Sequence, residues 1–137
     1  MDVAIVLFDG FDELDAIGPF EVFANAGQAG ADLTVSLRTL GERSQVTASH
    51  GLRVAPDGPL EAVDPDLALV PGGGWSDRSA TGTWAEAERG DLPDAVAALH
   101  AEGTTVASVC TGAMILARAG LTQGRPAVTH HGALDDL

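Results

Sequence analysis

Two short, unbroken apolar runs, Val3 to Phe8 and Leu67 to Val70, and a run of β-branched and small residues, Thr105 to Val109, punctuate the chain. Runs of this length without polar alternation are the pattern of strands buried on both faces of a parallel sheet. The first ends at Asp9-Gly10, the second at Pro71-Gly72-Gly73-Gly74, and the third runs into Cys110-Thr111-Gly112. Leu33 to Leu40 alternates apolar and polar residues and reads as a further strand. Helical periodicity fills the gaps. A helix is expected to open at Pro19 and run to about Ala26, with Phe20, Val22 and Phe23 in the core. Leu92 to Glu102 is amphipathic through Val96, Ala97 and Leu99 and is ended by Gly103. Ala113 to Ala119 is built of good helix formers.

Between these elements the pattern is weaker. Val46 to Pro56 is expected to form two short strands about Ser49-His50-Gly51, an edge hairpin. Trp75 to Arg89 is polar and rich in Gly and Thr, and reads as a loop leading into a helix. Gly124-Arg125-Pro126 leads into a short expected strand, Ala127 to Thr129. No repeat or low-complexity linker divides the 137 residues, which are read as a single domain. Strands alternating with helices predict an α/β fold, a mostly parallel sheet between helical layers. Ligands of such sheets bind at the C-terminal ends of the strands.

Charge and cysteine count narrow the function classes. Twenty acidic residues face seven arginines and no lysine, for a formal net charge of −13. Nothing there neutralises a row of phosphates, so nucleic acid is not an expected partner. The acids are dispersed rather than gathered in a tail, a solvating surface of the kind expected in a salt-rich, halophilic cytosol. A single cysteine excludes an intramolecular disulfide framework. No charged-then-apolar leader opens the chain and no apolar run reaches membrane-spanning length, so the expected compartment is the cytoplasm, with no membrane partner.

The candidate chemistry lies at strand ends. Cys110 falls where a buried strand turns into a helix, and Thr111-Gly112 lets the backbone turn sharply. This is the layout of a nucleophile elbow, in which the side chain stands over a helix N-terminus. Free N–H groups and the helix dipole favour a low-pKa thiolate there; a lone cysteine is otherwise a small buried hydrophobe. Asp15, between apolar neighbours and just before the expected helix, is either a capping acid or a partly desolvated carboxyl suited to proton transfer. Gly72, Gly73 and Gly74 permit close backbone approach and present N–H groups to developing negative charge, or simply make a turn. They match neither GxGxxG nor GxxxxGK[ST]. His130, in Thr129-His130-His131, is a general base, a metal ligand or a solvated loop residue. Adjacent histidines lack metal-ligand spacing, so no metal is expected. His50 and His100 read as structural or surface residues.

The segments LDAIGPFEVF, GLRVAPD, DLALVPGGG, VASVCTGAMILARAGLTQGR and VTHH, in this order over nearly the whole chain, resemble the ThiJ/PfpI superfamily. That group is related to class I glutamine amidotransferases, and the likeness is closest to its isocyanide hydratase branch and to the amidase-like domains of AraC-type regulators. The resemblance implies a flavodoxin-like, amidotransferase-like three-layer sandwich. It makes Cys110 the nucleophile and Asp15 an acid hydrogen-bonded to the sulfur. Gly73 and the Thr111 amide would line an oxyanion-type pocket, with Gly72 and Gly74 shaping the loop. His130 matches the family histidine, which is catalytic in some branches and merely nearby in others. Asp rather than Glu at position 15 favours the hydratase branch over the glyoxalase and deglycase branch. His131 departs from the bulky aromatic of many hydratase-like members. The chain stops at Asp135-Asp136-Leu137, where the family usually continues with further strands and a covering helix.

The implied activity is hydration of an isocyanide to an N-substituted formamide, without a cofactor, by a homodimer acting on a small molecule. Two alternatives stand beside it. One is amidase or glyoxalase chemistry with a Cys110–His130 pair. The other is a non-enzymatic sensor of oxidants or a ligand, in which Cys110 oxidises to a sulfinic acid.

Overall fold

Strand β1 (Asp2–Leu7), apolar from Val3 to Leu7, runs through the centre of the molecule with five of its six residues buried. The computed structural model describes residues 1–137. Parallel to β1 on one side lies β2 (Thr34–Thr39), in the register Val3↔Val35 to Leu7↔Thr39. On the other side lies β6 (Leu67–Val70), with Val3↔Leu67 and Ile5↔Leu69. Beyond β6 comes β7 (Thr105–Ser108), and beyond β2 the two-residue β5 (Gly58–Pro59). The sheet order is β5-β2-β1-β6-β7, all parallel. Strands β3 (Val46–Thr47) and β4 (Arg53–Val54) pair antiparallel as a separate hairpin, as expected from the sequence.

This order explains the layers. The β1-to-β2 connection carries α1 (Glu13–Gln28) in one direction across the sheet. The β6-to-β7 connection, carrying α2 (Thr83–Arg89) and α3 (Asp91–Ala101), runs in the other. Right-handed crossovers in opposite directions place their helices on opposite faces. Helix α4 (Gly112–Arg118) packs with α2 and α3. The result is a three-layer α/β sandwich of flavodoxin-like type. Strand order reverses between β1 and β6, where such sheets open a crevice at their C-terminal ends.

Several expectations need correction. Helix α1 begins six residues before Pro19, at Glu13, because Asp12 caps it through an Oδ1 that accepts from the Leu14 N–H at 3.1 Å. Pro19 therefore lies inside the helix and deprives the Asp15 carbonyl of its i+4 donor. Val22 is 67% exposed rather than in the core, since a 100° rotation per residue separates it from the stripe of Phe20 and Phe23. Ala127 to Thr129 does not form a strand. Pro126 supplies no N–H for a ladder and the Thr129 hydroxyl is drawn to the Cys110 carbonyl at 3.2 Å, so β7 keeps an unpaired edge. The last residues form a 3₁₀ helix, His131–Asp136, that the pattern did not indicate. No helix is long and apolar enough to cross a membrane.

Candidate active site

The crevice brings together the ends of β1, β6 and β7. Cys110 has φ +52°, one of two non-glycine residues with positive φ. Such backbone costs about 1–3 kcal/mol and persists only when its surroundings hold it. Here the Val109 N–H donates to the Val70 carbonyl at 3.0 Å, the Gly112 N–H to Val109 at 2.9 Å, and the Thr129 hydroxyl grips the Cys110 carbonyl. Gly112 is required by contact: a Cβ there would sit 2.1 Å from the Val70 carbonyl oxygen. The elbow expected from the sequence is thus present, and it is strained.

Asp15 enters from the first turn of α1. Its Oδ2 accepts from the Gly72 N–H at 3.1 Å, which joins α1 to the loop after β6. Gly72 lies so close to the elbow that a Cβ on it would stand 2.8 Å from Asp15 Oδ2 and 2.7 Å from the Thr111 nitrogen. Burial raises the Asp15 carboxyl above its ordinary value; the Gly72 bond, the Cys110 thiol and the His130 charge oppose that shift without cancelling it. Burial and the Asp15 carboxylate likewise push the Cys110 thiol up, against the Thr111 amide and hydroxyl, which stabilise the thiolate. The elbow does not by itself yield the low-pKa thiolate expected from the helix terminus. A neighbouring carboxylate repels a second negative charge, so the pair favours holding one proton between its two groups.

The glycine loop is bonded inward. The Gly73 N–H donates to Thr111 Oγ1 at 3.0 Å, and the Gly72 N–H is taken by Asp15. These amides therefore order the site, while the Thr111 amide favours the thiolate form of Cys110. Gly74, at φ +69°, shapes the loop behind them. His130 is exposed and caps the last 3₁₀ helix, its Nδ1 accepting from the Gly132 N–H at 3.1 Å. Its ring stacks at a tilt on His131, 4.0 Å between centroids. Its charge is felt by Asp15, but no hydrogen bond joins it to Cys110.

Three further groups escaped the sequence pattern. Thr83, fully buried at the start of α2, bonds to Gly73 and Thr111; nothing in its sequence neighbourhood marks it. Thr129 holds the elbow carbonyl, and its place beside His130 was the available signal. Glu13 accepts from His50 N at 2.8 Å and from Ser49 Oγ at 3.1 Å, and pairs with His50 Nδ1 at 2.7 Å. The donors of Asp12, Glu13 and His50 lie within 4.8 Å of one another, but these bonds already account for the Glu13 carboxylate as the latch between hairpin and helix. A cavity of about 520 Å³ lies between Asp9, Arg43, Glu86 and Arg89, and Cys110 does not line it.

With the geometry in hand, the likeness to known proteins becomes informative. The profile of the DJ-1/PfpI family matches residues 1–137. The chain is 33% identical over 131 residues to the isonitrile hydratase of Pseudomonas putida, covering 95% of this chain and 52% of that protein. It therefore spans about half the length of that relative. It is 29% identical over 140 residues to a deglycase of Pyrococcus abyssi, covering 100% of this chain and 76% of that one. Among solved structures, oxidized DJ-1 of Toxoplasma gondii superposes with a TM-score of 0.76 at 24% identity, over 99% of this chain and 70% of that one, which supports the fold.

Proposed function

The chain belongs to the DJ-1/PfpI family, and on that premise we propose that it is a cysteine-dependent hydratase converting isocyanides to N-substituted formamides. One observation carries this reading: a desolvated Asp15 carboxyl, raised above its ordinary value by burial, stands against the Cys110 thiol at a strained elbow. Isocyanide hydration needs a nucleophile for the terminal carbon and an adjacent proton donor, and little else. Aspartate at position 15 and the 33% identity to an isonitrile hydratase support the same choice.

In the proposed sequence the pair holds one proton, and the reactive form is the one in which that proton sits on Asp15 and Cys110 is the thiolate. Sγ adds to the isocyanide carbon, and Asp15 passes its proton to that carbon, giving a thioimidate. The carboxylate then takes a proton from water as the water oxygen attacks the same carbon. The C–S bond breaks as the added hydroxyl gives up its proton to become the carbonyl and the nitrogen takes that proton, so the N-substituted formamide leaves and the thiolate and the protonated carboxyl are restored. One water is consumed, and no electrons are exchanged. The reading makes the protein a cytoplasmic homodimer acting on a small molecule, with His130 at the rim acting on Asp15 through its charge.

The test is formamide production from a simple aryl isocyanide, followed by chromatography. Wild type should turn over and Cys110→Ala should not. Activity retained in Cys110→Ala would remove the nucleophile. A wild type inert toward isocyanide but active on methylglyoxal would replace the reaction, and sulfinic acid formation with peroxide as the only reactivity would favour the sensor.

A further inference from the structure

Thr83 is a buried hydroxyl that packing alone does not explain. It is the first residue of α2 and has no exposed surface. Its backbone N–H donates to the Gly73 carbonyl at 2.7 Å, so that carbonyl is already satisfied. Its hydroxyl stands 2.8 Å from the same oxygen and 3.1 Å from Thr111 Oγ1. Thr111 Oγ1 in turn accepts from the Gly73 N–H at 3.0 Å. Thr83, Gly73 and Thr111 thus close a ring of hydrogen bonds behind the elbow.

A buried hydroxyl carries a desolvation cost unless it is bonded, and valine would fill the same volume without it. What valine cannot do is hold Thr111. The Thr111 side chain has three staggered wells, and its Oγ1 is anchored on one side by the Gly73 amide and on the other by Thr83. The Thr83 hydroxyl is placed to donate either to the Gly73 carbonyl, which the Thr83 N–H already satisfies, or to Thr111 Oγ1. When it donates to Thr111, that oxygen accepts from both Thr83 and the Gly73 N–H, and its own proton is left for the sulfur, where the Thr111 hydroxyl favours the thiolate and a charge-assisted bond is the stronger one.

We propose that Thr83 is a positioning residue for the Cys110 thiolate, acting through the Thr111 hydroxyl. The inference rests on the reading of Cys110 as the nucleophile. It does not depend on which substrate that nucleophile attacks.

The experiment is the pH dependence of Cys110 alkylation by iodoacetamide, which reads the thiolate without any isocyanide. Thr83→Val and Thr83→Ala should both move the midpoint upward by about half to one pH unit, slowing alkylation at pH 7 by roughly three- to tenfold. Thr83→Ser should restore the wild-type profile. In a Thr111→Val background Thr83→Ala should add no further shift, because the two act as one unit. A wild-type midpoint in Thr83→Ala would assign the valine effect to the intruding methyl and overturn the proposal. So would a shift in Thr83→Ser as large as that of valine, or an added shift in the Thr111→Val background. A downward shift would mean that Thr83 competes with sulfur for the Thr111 proton, and would overturn it equally. Should wild type fail to hydrate isocyanides while these profiles move as stated, the proposed reaction falls and the role of Thr83 stands.

Discussion

The Gly72 amide donates to Asp15 Oδ2 across 3.1 Å, tying the loop after β6 to the first turn of α1, 57 residues away in sequence. The bond holds one carboxylate oxygen in place beside the elbow. It also sets up opposite expectations for acidity and for turnover.

Asp15→Asn should separate the two. Removing the carboxylate removes the repulsion that pushes the Cys110 thiol up, so the alkylation midpoint should move to lower pH. Each unit of that shift multiplies the thiolate fraction by about ten below the midpoint. Isocyanide hydration should nevertheless collapse, because the proton donor is gone. A variant with a more acidic thiol and undiminished turnover would remove Asp15 from the reaction.

Glu13 and His50 bind the hairpin to α1, and their titrations predict a stability window. Burial alone would raise the Glu13 carboxyl, but the His50 ring, the His50 amide and Ser49 together bring it from 4.5 down to about 2. A depressed carboxyl contributes stability that is full above its unfolded value and is lost as pH falls through the folded one. His50 is raised by its bond to Glu13. A raised imidazole contributes stability that is full below about 6.5 and fades as pH rises through its folded value. The latch is therefore complete between about pH 4.5 and 6.5. Thermal melts of wild type and Glu13→Gln should differ most in that window and converge toward pH 2. A difference independent of pH would assign the effect to packing.

Gly112→Ala should be destabilising well beyond a surface alanine. Its Cβ would lie 2.1 Å from the Val70 carbonyl oxygen and 2.8 Å from that of Pro71, both backbone atoms. Overpacking of this kind costs about 1–3 kcal/mol, measurable as a lowered urea midpoint with unchanged slope.

Salt should raise the melting temperature between low and molar concentration. Net charge is −13, while Arg43–Asp9, Arg89–Glu86, His50–Glu13 and the N-terminal amine with Asp66 are the ion pairs formed. Most carboxylates thus repel one another across solvent, and added ions screen that repulsion. A melting temperature flat or falling with salt would count against a halophilic surface.

Much of this was legible along the chain. Val3–Phe8, Leu67–Val70 and Thr105–Val109 appear as β1, β6 and β7 within a residue or so; the buried stretches of β1 and β6 are apolar throughout, while the half-buried edge strand β7 admits Thr105 and Ser108 among its β-branched and small residues. The elbow was readable because a strand, a cysteine and a Thr-Gly pair are local in sequence. The start of α1 was misread, because Pro19 is a strong local signal and the Asp12 cap a weak one. Ala127–Thr129 failed as a strand for a related reason: pairing is made by a partner edge, and composition does not show whether Thr129 will bond to β7 or to the elbow.

By itself, then, the sequence determined the α/β class, the place of Cys110 at a strand end and the company of Asp15 and the glycines at one edge. Those follow from periodicity and from turn chemistry, which act over a few residues. Only the tertiary structure decided what each group does there. It turned the Gly72 and Gly73 amides inward to Asp15 and Thr111, and brought Thr83 and Thr129 to the elbow. It also set the Cys110 thiol and Asp15 carboxyl against each other and raised both. Acidity depends on desolvation and on neighbours brought close by folding, and neither is written in the order of residues along a strand.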